Sequence, residues 1–119
     1  MSNFSIVRGD TYIEDLAVKD SAGAALDITG GKLYFTAKTS YNVADESASV
    51  ALTSPSTGIT ITDAANGLAR MIITAAQSAT LTGGQTYVYD IQFKDVNGNI
   101  TTLDSGSMDV RQDVTQSTD

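Results

Sequence analysis

Between Tyr87 and Lys94 the chain alternates with period two. Tyr87, Tyr89, Ile91 and Phe93 fall on one side, and Val88, Asp90, Gln92 and Lys94 on the other. Successive side chains of an extended strand point to opposite faces, so this spacing predicts a strand with one buried face. The Asn97-Gly98 pair that follows suits the positive backbone angles of a tight turn, and Ile100 to Leu103 then returns antiparallel beside the first strand.

The same reading extends upstream. Phe4 to Arg8 is extended, broken by Gly9-Asp10 and resumed from Thr11 to Lys19. Leu16 and Val18 share a parity that Ile13 does not, so either a bulge lies between them, the favoured reading, near Asp15, or both faces are partly covered. A turn at Asp20-Ser21-Ala22-Gly23 leads through Leu26 to Gly31 into Lys32–Thr39, where Leu33, Phe35 and Ala37 alternate with Tyr34, Thr36 and Lys38. Ser40 to Ser56 has no dependable period and reads as an exposed connection, apart from a short strand at Val50 to Thr53.

Ile59 to Thr62 and Leu68 to Thr74 form a second hairpin around Asp63-Ala64-Ala65-Asn66-Gly67, with Ala69, Met71 and Ile73 on one face. Thr74 can cap a single helical turn in Ala75 to Leu81. After a break at Asp104-Ser105-Gly106 comes a last strand segment, Ser107 to Val114. Residues 1–114 therefore form one domain, and residues 115–119 a polar tail that frays. About seven to nine short strands separated by turn signals predict an all-β, antiparallel β-sandwich. Its core is expected to draw on Leu16, Val18, Leu33, Phe35, Met71, Ile73, Tyr87, Tyr89, Ile91 and Phe93.

Composition narrows function chiefly by removing classes. With no histidine and no cysteine, the commonest general base and the thiolate metal ligands are missing, and the serines and threonines have no imidazole to activate them. Fourteen acidic against seven basic residues give a net charge of −7, and the basic residues are scattered singly. Counterion displacement from a phosphate backbone needs clustered cations, so neither nucleic acid nor an anionic membrane surface is an expected partner. No run approaches the roughly 20 apolar residues of a spanning helix, and Met1-Ser2-Asn3-Phe4 does not open a signal peptide. Synthesis in a cytoplasm is expected.

Three candidate chemistries have simpler explanations. Arg8-Gly9-Asp10 is an adhesive tripeptide by sequence, yet it sits at a strand junction where glycine serves the backbone, with Asp10 accepting local hydrogen bonds and Arg8 pairing with a carboxylate. Asp95-Val96-Asn97-Gly98-Asn99 echoes a calcium loop but lacks its glycine register and its terminal bidentate Glu. Asp90 and Asp104 could approach across the last hairpin as a glycosidase pair, but solvated charge is the plainer role. No catalytic, cofactor-binding or metal residue is assigned, no cofactor is implied, and the chain is not expected to be an enzyme. Tyr34, on the polar side of its strand, and Tyr41, in the loose connection, point instead to a contact surface.

Four segments carry a family resemblance: Phe4-Ser5-Ile6-Val7-Arg8-Gly9-Asp10-Thr11, Leu26-Asp27-Ile28-Thr29-Gly30, Tyr87-Val88-Tyr89-Asp90-Ile91, and Gly98 to Gly106. Together with Gly58 to Gly67 they resemble the immunoglobulin-like N-terminal domain of tailed-phage baseplate upper proteins and related small virion proteins. The match covers nearly the whole chain, with Tyr12 where Trp is often found and without the long C-terminal region of baseplate relatives. The resemblance implies an immunoglobulin-like sandwich and a non-enzymatic structural role in the virion, in the tail, baseplate or head. Its partners would be other phage virion proteins, met in multiple copies per particle. A carbohydrate-binding adhesin domain is the alternative. Ser40 to Ser56 and Asp113 to Asp119 are the segments expected to change order on docking.

Overall fold

The computed structural model describes residues 3–54 and 57–114. Among them eight strands form two sheets, so the chain is all-β apart from short helical turns. The strands are β1 (Phe4–Val7), β2 (Tyr12–Ala17), β3 (Lys32–Lys38), β4 (Val50–Thr53), β5 (Ile59–Asp63), β6 (Leu68–Ile73), β7 (Thr86–Lys94) and β8 (Ile100–Arg111). One sheet has the order β1-β8-β7-β3-β4, the other β2-β6-β5. All named pairings are antiparallel except β1 with β8, which is parallel.

The alternation in β7 does what its period requires. Tyr87, Tyr89, Ile91 and Phe93 are buried and meet Leu33, Phe35 and Ala37 of β3, which oppose Phe93, Ile91 and Tyr89 in register. Ile59, Ala69, Met71 and Ile73 of the three-stranded sheet belong to the same buried cluster, as do Ile28, Met108 and Val110. Each large apolar side chain taken fully from water contributes about 1.5–3 kcal/mol, so this shared cluster is what holds the sheets together. Phe35 stacks on Tyr89 at 5.5 Å, and Phe4 meets the same ring edge-on at 5.1 Å.

Several expectations need correction. β2 contains no bulge: its register with β6 runs unbroken from Tyr12 opposite Ile73 to Ala17 opposite Leu68. Ile13 simply faces outward and is 54% exposed, while Leu16 is only half-buried because it lies at the margin of the core. The register shifts fall elsewhere, between Ile61 and Asp63 in β5 and opposite Ile91/Gln92 of β7, where Leu103 is the extra residue of β8. Nor does the chain break at Asp104-Ser105-Gly106, because β7 is long enough to pair with β8 on both sides of that bulge.

At the hairpin only Gly98 takes a positive φ, of 86°, and Asn97 does not. The Asp95 carboxylate accepts hydrogen bonds from Asn97 N and Asn99 N, both 2.9 Å, which holds a wider turn than a two-residue one. Between β3 and β4 a 3₁₀ turn at Asp45–Ser47 is tied down by Lys38 Nζ to Asp45 Oδ1, 2.6 Å, so part of the expected loose connection is anchored. The helix α1 (Ala75–Ala79) begins as expected at Thr74, whose hydroxyl accepts from Gln77 N while the Gln77 side chain accepts from Thr74 N.

Candidate interaction surfaces

Arg8-Gly9-Asp10 is the corner at which the chain leaves the five-stranded sheet after β1 and enters the three-stranded one at β2. A φ of +88° at Gly9 makes that change of direction available, since a side chain there would be strained. The corner is bound to α1 through buried Ser78. Gly9 N donates to Ser78 Oγ at 3.0 Å, and that hydroxyl donates to the Asp10 carbonyl at 2.7 Å. Arg8 Nε donates to the Leu81 carbonyl at 3.0 Å, and Nη1 lies 3.3 Å from Asp113 Oδ1. Arg8 thus meets a carboxylate as expected, whereas the hydrogen bonds at position 10 involve its backbone. Asp113, the first residue of the segment expected to change order on docking, is held in this body with its side chain only 11% exposed, and residues 115–119 lie outside the described residues.

The carboxylates singled out by the sequence do not converge. Asp104 opposes Ile91 across β7 and β8, so Asp90, one position earlier, points to the other face. A glycosidase arrangement of these two groups is therefore excluded. Burial raises the Asp90 carboxyl, helped by Asp45 and opposed by Lys38. Asp95 is held below the usual carboxylate range, first by the Asn99 backbone amide, so its oxygens already serve the turn rather than a cation. Among the described residues no group of three or more acidic side chains gathers as a metal site, and no helix is long and apolar enough to cross a membrane.

On the side where β2 faces β7 and β8, a cleft of about 380 Å³ opens between the two sheets. Tyr89 Oη donates to Asp104 Oδ2 at 3.3 Å near its mouth. Burial, then the Asp104 charge, raises the Tyr89 phenol. Burial, then Glu14, raises that of Tyr12, whose ring stacks on Phe4 at 5.2 Å. These phenols stay protonated well into the alkaline range.

The outward face of the three-stranded sheet carries the clearest apolar display. Ile13 stands opposite Ile72, Asp15 opposite Arg70, and Ala17 opposite Leu68. Ile13 is 54% and Leu68 40% exposed, and a 2.8 Å Asp15–Arg70 bridge separates the two apolar rungs. Two exposed apolar rungs flanking one ion pair give this face the mixed apolar and polar character of a contact surface. Sequence reading missed them. The signal was present in the odd parity of Ile13, which a bulge seemed to explain. On the opposite outer face, Tyr34 is half-buried and Tyr41 is 78% exposed, beside a depression of about 180 Å³ bordered by Thr36, Lys38, Asp90 and Gln92.

A scan against protein-family models finds no match, and a search of curated proteins finds none either.

Proposed function

We propose that the chain is an immunoglobulin-like β-sandwich module of a tailed-phage virion, acting without catalysis through contacts with other virion proteins. In support of this reading, lettering β2 to β8 as B, C, C′, D, E, F and G gives G-F-C-C′ in one sheet and B-E-D in the other, an arrangement similar to that of variable-type immunoglobulin domains but with β1 beside the G-like strand and no C″ strand among the described residues. Tyr87, at the start of the F-like strand, accepts a hydrogen bond from Thr82 N at 2.9 Å, the contact of a tyrosine corner. Two residues on, where antibody domains carry a cysteine, stands Tyr89. It stacks on Phe35 of the C-like strand, an aromatic core contact comparable to that of their tryptophan.

The segments that resemble phage virion proteins take structural places in this frame. Arg8-Gly9-Asp10 forms the corner between sheets, and Tyr87-Val88-Tyr89-Asp90 supplies the corner tyrosine and the central core strand. The observation that carries the assembly reading is the outward exposure of Ile13 and Leu68 on the Ile13–Ile72 and Ala17–Leu68 rungs, which flank the Asp15–Arg70 pair on one face of the three-stranded sheet. The module would be made in the host cytoplasm and occur in many copies per particle.

Quantitative mass spectrometry of purified particles tests this reading. A fixed copy number supports it, and absence from intact particles contradicts it. The second reading, a glycan-binding adhesin, draws on exposed Tyr41 beside Asp90 and Gln92. Binding of the whole chain in a glycan screen, abolished by Tyr41→Ala, would favour it.

A further inference from the structure

We propose that the cleft between β2 and β8 accepts an extended segment of another virion protein as an added strand on β2, with that segment's apolar side chains filling the cleft. This deepens the assembly reading and rests on it. Among the described residues β2 pairs only with β6, so its other edge has no strand partner. Val18 N donates to Gly67 O at 2.8 Å, toward the β6 side. Alternation therefore turns the backbone groups of Ile13, Asp15 and Ala17 to the open edge. Across the cleft, the described residues of β1 pair with β8 from Met108 to Arg111, and among the described residues no strand pairs with Ile100 to Gly106 on that side.

The space between these edges is built to take side chains. Leu16, Val18, Ile91 and Leu103 form an apolar floor in a cleft of about 380 Å³. The bulge at Leu103 swings that residue out of the β7–β8 register and into the lining. Glu14, Asp15 and Asp104 form the rim, with Asp15 already bridged to Arg70 and Asp104 accepting from Tyr89, and the lining itself contains no lysine or arginine. An acidic rim on a chain of net charge −7 selects the occupant: an extended peptide with apolar residues at alternate positions and lysine or arginine between them. Its backbone would pair with the edge and its cations would meet the rim. Because backbone pairing supplies most of the attraction, raising salt from about 0.05 to 0.5 M should weaken binding only severalfold.

The probe is a synthetic, end-blocked peptide of alternating valine with lysine and threonine, titrated into the full isotope-labelled chain and followed by amide resonances. Shifts and slowed exchange at Ile13, Asp15 and Ala17, with at least tenfold weaker binding by the same peptide N-methylated at alternate amides, would establish strand addition. Ala17→Pro removes one outward donor and should weaken binding about tenfold; the N-methylated peptide gives the same information without altering the protein. No perturbation at about 1 mM peptide, equal binding of the N-methylated form, or shifts confined to the Tyr41 face would overturn the proposal. So would self-association through β2 in sedimentation experiments, which would make a second copy the occupant. The chain incorporated at fixed copy number with β2 amides exchanging as in the free protein would sink strand addition alone. Absence from particles would sink the assembly reading itself.

Discussion

The hydroxyl of Ser78 and the amide of Gly9 are joined by a 3.0 Å hydrogen bond that fastens the corner between the two sheets to α1. The same buried hydroxyl donates to the Asp10 carbonyl, so a single oxygen serves both polar groups of the corner. Ser78→Ala should cost about 1–3 kcal/mol in denaturant unfolding, the range for leaving buried polar groups unsatisfied. A loss within error would mean that water replaces the hydroxyl. Asp10→Glu keeps the backbone contacts and destroys the adhesive tripeptide, so stability, particle assembly and host adsorption should all persist. Lost adsorption with an unchanged melting temperature would restore an adhesive role.

Phe93 lies opposite Leu33 at the end of the β7 core face and is 7% exposed. Truncation to alanine removes an aromatic ring that also packs beside Gly31, and should destabilise the domain by about 3–5 kcal/mol. Gln92→Ala, on the other face of the same strand, is the control and should change little. Urea unfolding of both variants separates the faces.

Tyr87→Phe deletes only the hydroxyl that accepts from Thr82 N. Because Thr82 is exposed, water can take over its amide, and the expected cost is about 0.5–1.5 kcal/mol. A larger loss, accompanied by slower folding, would show that this contact organises the α1–β7 connection early.

Much of this fold was legible because period-two alternation is strong where one face is buried. β3, β6 and β7 fall where Leu33–Ala37, Ala69–Ile73 and Tyr87–Phe93 alternate, and Thr74 caps α1. What failed had a common cause. Alternation tells which residues share a face, but not whether a single apolar residue on the wrong face reflects a bulge or an exposed contact. Ile13 was read as marking a bulge and is instead an exposed side chain on an unbroken strand. Leu103 shows the reverse, since nothing local distinguishes an extra residue in a long strand from an ordinary one until its partner strand is known. The cleft was invisible for a related reason: it depends on which edges the sheet order leaves open.

Alkaline stability should depend on the two phenols beside the cleft. Burial raises Tyr12 and Tyr89 above the ordinary value of 10.0. Above about pH 10 the unfolded chain releases phenolic protons that the folded chain retains, so stability is full below that pH and falls as pH rises toward the folded values. Urea unfolding at about pH 8 and about pH 11 should show this loss, and Tyr89→Phe should flatten it. An unchanged slope in that variant would assign the alkaline limb to other groups.

The most direct test of the account is the copy number of Ile13→Asp in purified particles, measured by mass spectrometry beside the wild-type chain. Ile13 is exposed, so its replacement should leave the unfolding midpoint nearly unchanged. The account predicts that wild-type chain is present at a fixed copy number and that the variant, equally folded, is reduced at least tenfold. Incorporation of Ile13→Asp at the wild-type level would contradict the assignment of this face to assembly.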